Sequence, residues 1–176
     1  DTGTPCDLLS IPHNGNLGGG RMFVPTTEDG TPYDAAQAAR RARLEPLLEI
    51  YQHKGASECV TGLDDPLASE DELCGFEMMH PNLCTGGADD PPDCVGVCAG
   101  GGIGFLGSCV GPSDMARGAL RTGLREEARI GVDPFRFGFI GSTDTHVATS
   151  GLVREQGWPG HAGENEDEPA DQLRVP

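Results

Sequence analysis

The sequence is short of positive charge. Lysine and arginine number 12 against 28 aspartates and glutamates, leaving a net charge of -16, and Lys54 is the one lysine. Nucleic acid is therefore disfavoured as a partner, because neutralising phosphates requires a basic surface, and an anionic membrane surface is disfavoured for the same reason. Aromatic residues are also scarce, at 5%, and hydrophobic residues reach 36%. No apolar run is long enough to span a bilayer, and Asp1-Thr2-Gly3-Thr4-Pro5 has neither an initiator Met nor a signal-peptide pattern. With so little core-forming material the chain reads as a piece of a longer protein. An Asp-x-Asp-x-Asp-Gly calcium loop is missing. The glycine run Gly18-Gly19-Gly20 lacks the Gly-Lys-Ser/Thr ending of a phosphate loop.

What is abundant is glycine (27), proline (14) and cysteine (7) in 176 residues. Six of the cysteines, Cys59, Cys74, Cys84, Cys94, Cys98 and Cys109, crowd into residues 59–109, with Cys6 apart. That density in a Gly- and Pro-rich stretch reads as disulfide stapling in an oxidising compartment. A zinc knot is the rival, but Cys94-x3-Cys98 is looser than a knuckle, and no histidine follows Cys109 at a matching offset.

Chemistry-bearing residues recur where apolar runs end. Phe135 to Ile140 reads as a buried strand that opens into Gly141-Ser142-Thr143-Asp144-Thr145-His146. Period-2 alternation would send Asp144 and His146 to one side, where a carboxylate and an imidazole suit zinc, manganese or iron. The competing reading is a turn in which Asp144 caps a backbone amide. Residues 7–12 read as another strand, delivering His13 ahead of Asn14-Gly15-Asn16, the glycine run and Arg21. Residues 34–45 read as a helix capped by Asp34 and stopped by Pro46. A third strand, Leu47 to Tyr51, carries Glu49, which is costly to bury unless it is paired. His53, Lys54 and Glu58 follow it as a possible ligand, a point charge and a carboxylate. Residues 60–111 read as an insertion with a short helix at 69–79 capped by Ser69. Residues 113–131 read as a helix capped by Ser113, with Ala116, Leu120 and Leu124 at helical spacing and Gly131 at its end. Strand, helix, strand, insertion, helix, strand is the order of an α/β protein whose sites form at the carboxyl ends of strands.

The blocks Ile11 to Asn16, Glu49 to Cys59, Asp71-Glu72-Leu73-Cys74, Phe135 to His146 and Trp158-Pro159-Gly160-His161, taken together and in this order, resemble the domain-of-unknown-function 3604 family. That family is similar to the PHP (polymerase and histidinol phosphatase) metal-dependent phosphoesterases. The resemblance implies a partial, distorted β/α barrel over residues 1–162, with the Cys-rich insertion at 60–111 and an acidic tail at 163–176. It implies divalent metal ions (zinc, manganese or iron) held by His13, Asp144 and His146, which would also be the catalytic residues. Asn16, Arg21, His53, Lys54, Glu58 and His161 are the candidates for a small anionic substrate. The superfamily's His-x-His motif is absent, so the upstream half of the barrel is an expected partner. The expected activity is hydrolysis of a phosphoester or related anionic ester by a metal-activated water, in a periplasmic or secreted protein without a membrane span. The alternative is a disulfide-stapled extracellular binding or structural module, and a third reading is an inactive fragment.

Overall fold

A computed structural model of the protein describes residues 8–60, 74, 88, 96–98 and 109–144. The fold is mixed α/β. Helix α1 spans Ala35–Leu44. Asp34 accepts from the Gln37 amide at 2.8 Å while the Gln37 side chain accepts from the Asp34 amide at 2.9 Å, the reciprocal box that ties down a helix start. Arg41 and Arg43 occupy the last turn, where the helix dipole favours positive charge, and Pro46 follows.

Strand β1 (Leu47–Gln52) is central. It turns back into β2 (Gly55–Ala56), antiparallel, and on its other side pairs in parallel with β5 (Gly138–Gly141), giving the order β2-β1-β5. The β1–β5 register jumps between Glu49 and Tyr51. One extra residue on β1 is a bulge, and it breaks strict alternation. A smaller parallel pair, β3 (Gly96–Val97) with β4 (Cys109–Val110), lies next to the Cys98–Cys109 disulfide. A second disulfide joins Cys59 to Cys74. Among the described residues the strands form these open sheets, and the partial, distorted β/α barrel that the resemblance implies is not formed by them.

Helix α2 (Ala116–Ile130) ends at Gly131, whose φ of 78° is left-handed and whose amide bonds Glu127 O at 2.8 Å. Its start departs from expectation. Ser113 does not cap it; the amides of Ala116 and Arg117 instead donate to the carbonyls of Ser57 and Glu58, at 2.9 and 3.1 Å. Main chain from a neighbouring segment thus replaces the side-chain cap and ties α2 to the residues after β2. The buried stripe also differs: Leu124 is exposed, and Ala116, Gly118, Ala119, Gly123 and Glu126 face inward. The helix lies so close to its surroundings that small residues suit the contact better than leucine.

The core gathers Phe23, Leu48, Ala116, Ala119 and Phe135, with Phe137 against it. Phe23 meets Phe135 edge-on at 5.8 Å and Phe137 at 5.3 Å, and Arg41 lies 4.8 Å over the Phe135 ring. This cluster explains a second correction. Phe135 and Phe137 fill the core from the segment ahead of the strand, held by Phe135 N to Asp133 Oδ1 at 2.7 Å, and the strand begins only at Gly138. The strand is also more exposed than expected, with Phe139 on the surface, because β5 has one described neighbour, β1.

Residues 8–12 form no strand, contrary to expectation. They run beside β1 with bonds from Ser10 N to Leu44 O (2.7 Å) and from Glu49 N to Pro12 O (3.0 Å); Pro12 has no N–H with which to continue a ladder. Apart from Cys74, the expected helix at 69–79 lies outside the described residues, as do the acidic tail at 163–176 and most of the insertion.

Candidate functional site

Polar side chains meet where β1 and β5 end side by side. Beyond the strands the pairing continues, with Ser142 N donating to Tyr51 O and His53 N to Thr143 O, both at 3.1 Å. The end of β1 with its turn into β2 therefore carries Gln52, His53 and Lys54, and the segment after β5 carries Ser142, Thr143 and Asp144.

Lys54 is the hub. Its Nζ lies 2.6 Å from Asp144 Oδ2, 2.9 Å from His53 Nε2 and 3.0 Å from Gln52 Oε1. An ammonium has three donors and no lone pair. His53 Nε2 is therefore the acceptor in that contact, and all three N–H groups of Lys54 are directed at protein acceptors. The His53 side chain is fully buried and Gln52 nearly so, so water competes little. Burial works to raise the Asp144 carboxyl, but the Lys54 hydrogen bond and charge, helped by Gln52 and His53, outweigh it and hold the group below its usual value of 3.8.

A second tier orients this hub. Gln52 Nε2 donates to Glu49 Oε2 at 2.7 Å, and Ser142 Oγ donates to Glu49 Oε1. Glu49 and Gln52 are three apart and would face opposite ways in a regular strand; the bulge between Glu49 and Tyr51 lets them meet. Both oxygens of the buried Glu49 are thus occupied, which removes the cost of placing it there. With its amide nitrogen committed to Glu49, Gln52 can only turn its oxygen towards Lys54.

The third edge of the site is the His13–Asn16 segment, which runs along β1 opposite β5. Pro12 O fixes its start against Glu49. Asn16 fixes its end: its amide donates to Ser57 Oγ (3.1 Å), its Nδ2 to Lys54 O (2.9 Å), and its Oδ1 accepts from Ser57 Oγ (2.9 Å). Asn16 is therefore a buried brace. His13 is exposed. Asn14 has φ 54° and Asp144 φ 47°, the left-handed region that residues with a Cβ seldom enter. Both belong to segments that border this site. Asn14 Oδ1 is buried and accepts no hydrogen bond among the described residues.

Asp114, just ahead of α2, carried no signal that singled it out in the sequence. It is completely buried. Its Oδ2 accepts from Gly20 N at 2.5 Å and Gly111 N at 2.8 Å, and its Oδ1 from Met22 N at 3.4 Å. Burial pushes its carboxyl above 3.8, against the pull of these amides. A side chain on Gly15 would strike Asp114 O, and one on Gly18 would strike Asp114 Oδ1. Asp114 thus holds the whole His13-to-Met22 loop against the start of α2. Gln52 and Ser142 also went unmarked in the sequence reading; their signal was nearness to Glu49 and Asp144, legible only with the bulge and the parallel pairing in hand.

The remaining candidates are dispersed. Arg21 is exposed. Glu58 pairs with Arg117, at 2.7 Å to Nη2, on the outer side of the α2 start. His146 and His161 lie outside the described residues. Among the described residues no group of three or more His, Cys, Asp or Glu side chains is arranged to hold a metal ion. Of the candidate cysteines, Cys59, Cys74, Cys98 and Cys109 are disulfide-bonded, and Cys84 and Cys94 lie outside the described residues. A separate open cleft of about 520 Å³ beside α1 includes Tyr33, Arg40 and Arg41, but Arg41 already bonds Met22 O, Val24 O, Tyr33 and Glu45.

The chain matches the model of the family described as Protein of unknown function (DUF3604) over residues 1–175, and it belongs to that family. No curated protein and no solved structure matches it. The two disulfides accord with an oxidising compartment, and no described helix is long and apolar enough to cross a membrane.

Proposed function

We propose that the protein is a metal-dependent hydrolase acting on a phosphoester or a related anionic ester, built on a PHP-like half barrel and working in the periplasm or outside the cell. The observation that carries this reading is the donor set at the ends of β1 and β5. A carboxylate oxygen, an imidazole nitrogen and an amide oxygen surround a single cationic atom, Lys54 Nζ, at 2.6 to 3.0 Å. The chemistry of that set fits a divalent transition metal, for which oxygen and imidazole ligands are usual. Of the residues proposed to hold the ion, His13, Asp144 and His146, Asp144 is the one that belongs to this set.

A bound divalent ion would supply a water of lowered pKa and polarise the scissile group. The chain's own residues prepare the place. Asp144 stays ionised, since its carboxyl is held below the ordinary value. His53 faces the Lys54 ammonium through Nε2. Glu49 and Ser142 hold Gln52 in one amide orientation. Arg21, exposed on the loop that Asp114 anchors, is the cation proposed to draw in an anionic substrate. The overall acidity of the chain does not oppose such a substrate, because the metal charge dominates the local field.

The test is hydrolysis by the full-length protein of a panel of phosphoesters, sulfate esters and amides after reconstitution with zinc, manganese or iron, beside Asp144→Asn. Metal-dependent turnover of one ester class that Asp144→Asn abolishes supports the proposal. Turnover unaffected by Asp144→Asn, or none with any metal, removes it. The second reading, a stapled extracellular binding module, is favoured by the paired cysteines and predicts no turnover in any condition.

A further inference from the structure

We propose that the Cys98–Cys109 disulfide is a reducible latch on the loop from Gly15 to Met22. A dithiol that opens this bond loosens the loop and leaves the Cys59–Cys74 disulfide and the aromatic core in place. The inference goes beyond the proposed hydrolysis and does not depend on it. It concerns how Asn16 and Arg21, both on that loop, are held.

Three features carry it. First, the bond sits against the loop. Gly20 is left-handed, with φ 78°, and a methyl group on it would lie 3.0 Å from Cys98 Cβ and 3.3 Å from Cys98 Sγ. Gly111, two residues after Cys109, closes on the same place: a methyl group there would lie 2.9 Å from Gly20 Cα and 3.7 Å from Cys98 Cβ. Asp114 Oδ2 accepts from the amides of both glycines, so disulfide, loop and α2 start form one packed cluster. Second, β3 has little other tether among the described residues. It pairs with β4 over two residues, extended by Cys98 N to Val110 O at 3.0 Å, and so short a pair is marginal in water on its own. Third, the two disulfides differ in access. Cys98 and Cys109 are half-buried, whereas Cys59 and Cys74 are 4% and 2% exposed. Exchange requires a thiolate to reach a sulfur, so a dithiol meets Cys98–Cys109 first. Its thiolate attacks one sulfur and displaces the other; its second thiol then releases the first. The reductant leaves as a disulfide, and two electrons and two protons pass to the cysteine pair. With β3 untied from β4, Gly20 loses the wall that Cys98 provides, and Asp114 holds the loop with less support.

The experiment treats full-length protein with graded dithiothreitol, alkylates the released thiols and identifies them by peptide mass spectrometry. Hydrogen exchange then compares residues 15–22 with α1 in oxidised protein, in protein with the Cys98–Cys109 bond opened and alkylated, and in Cys98→Ser/Cys109→Ser. Cys98 and Cys109 should be alkylated at lower reductant than Cys59 and Cys74. With their bond open, the amides of Gly20 and Met22 should exchange on the order of tenfold faster relative to those of α1. Opening of Cys59–Cys74 first overturns the proposal, as does an unchanged ratio of loop to α1 exchange. A double variant that fails to fold makes the bond a staple of the whole fold and overturns the latch. None of these readouts involves turnover or metal, so metal-dependent hydrolysis stands or falls separately.

Discussion

Replacing Asp114 should reveal how the loop bearing His13 and Arg21 is held. Asp114→Ala removes the acceptor for Gly20 N and Gly111 N, at 2.5 and 2.8 Å, and the weaker one for Met22 N at 3.4 Å. Bonds to a charged acceptor contribute about 1.5–3 kcal/mol each, so the two short ones together contribute about 3–6 kcal/mol. Part of that is offset, because the carboxylate's own burial cost, visible in its raised pKa, disappears with it. A net loss of about 3 kcal/mol follows, a large single-residue effect. Asp114→Asn separates this account from simple loss of volume. Both short bonds fall on Oδ2, so an asparagine can place its one oxygen there and lose only the weak bond from Met22 N, which its NH2 cannot accept, limiting the cost to about 1 kcal/mol. Urea unfolding of the full-length protein reads both values through the midpoint at constant slope. The reasoning is refuted if Asp114→Ala lies within about 0.5 kcal/mol of wild type, or if Asn costs as much as Ala.

The same residue sets a pH dependence. Its folded pKa is raised above 3.8, so the native state binds the proton more tightly, and its contribution is largest at low pH and declines as pH rises through the folded value. The stability advantage of wild type over Asp114→Asn should accordingly be greater at about pH 3.5 than at about pH 7; an advantage that grows with pH would contradict the burial argument. Opening the disulfides should lower the urea midpoint, since cross-links separated by 15 and 11 residues each restrict the unfolded chain by about 3 kcal/mol; an unchanged midpoint after full reduction would show that neither staples the fold. Gly123→Ala gains about 1 kcal/mol of helix propensity, but its methyl meets Asp133 Oδ1, the acceptor of Phe135 N. Overpacking of about 1–3 kcal/mol plus the lost bond outweighs the gain, so thermal melts should show destabilisation, and a raised melting point would show that Asp133 moves aside freely.

The parts legible in the sequence are those decided locally. Asp34 three residues ahead of Gln37 specifies its own capping box, Pro46 and Gly131 end their helices by backbone chemistry alone, and Leu47 to Tyr51 is a strand by composition. Glu49 was legible as a buried charge in need of partners, and it has two. The errors arose where distant segments supply what local reading assigns to neighbours. Ser113 was the natural cap for α2 until the carbonyls of Ser57 and Glu58 took its place. Phe135 and Phe137 were apolar for the sake of Phe23, far back in the chain. Leu124 matched the helical period, yet glycine and alanine face the close contact instead. In the site, Asp144 and Lys54 could each be singled out, 90 residues apart, but their pairing depends on β5 lying parallel to β1, and the roles of Gln52 and Ser142 depend on the bulge. Asp114 resembles any loop aspartate until three amides are seen around it.

The central claim is a cation site at the shared end of β1 and β5, and elemental analysis tests it most directly. Full-length protein purified without chelator should carry zinc, manganese or iron in near-stoichiometric amount, and Asp144→Ala and His146→Ala should lose most of it while remaining folded. Wild type and both variants with the same metal content would contradict the account.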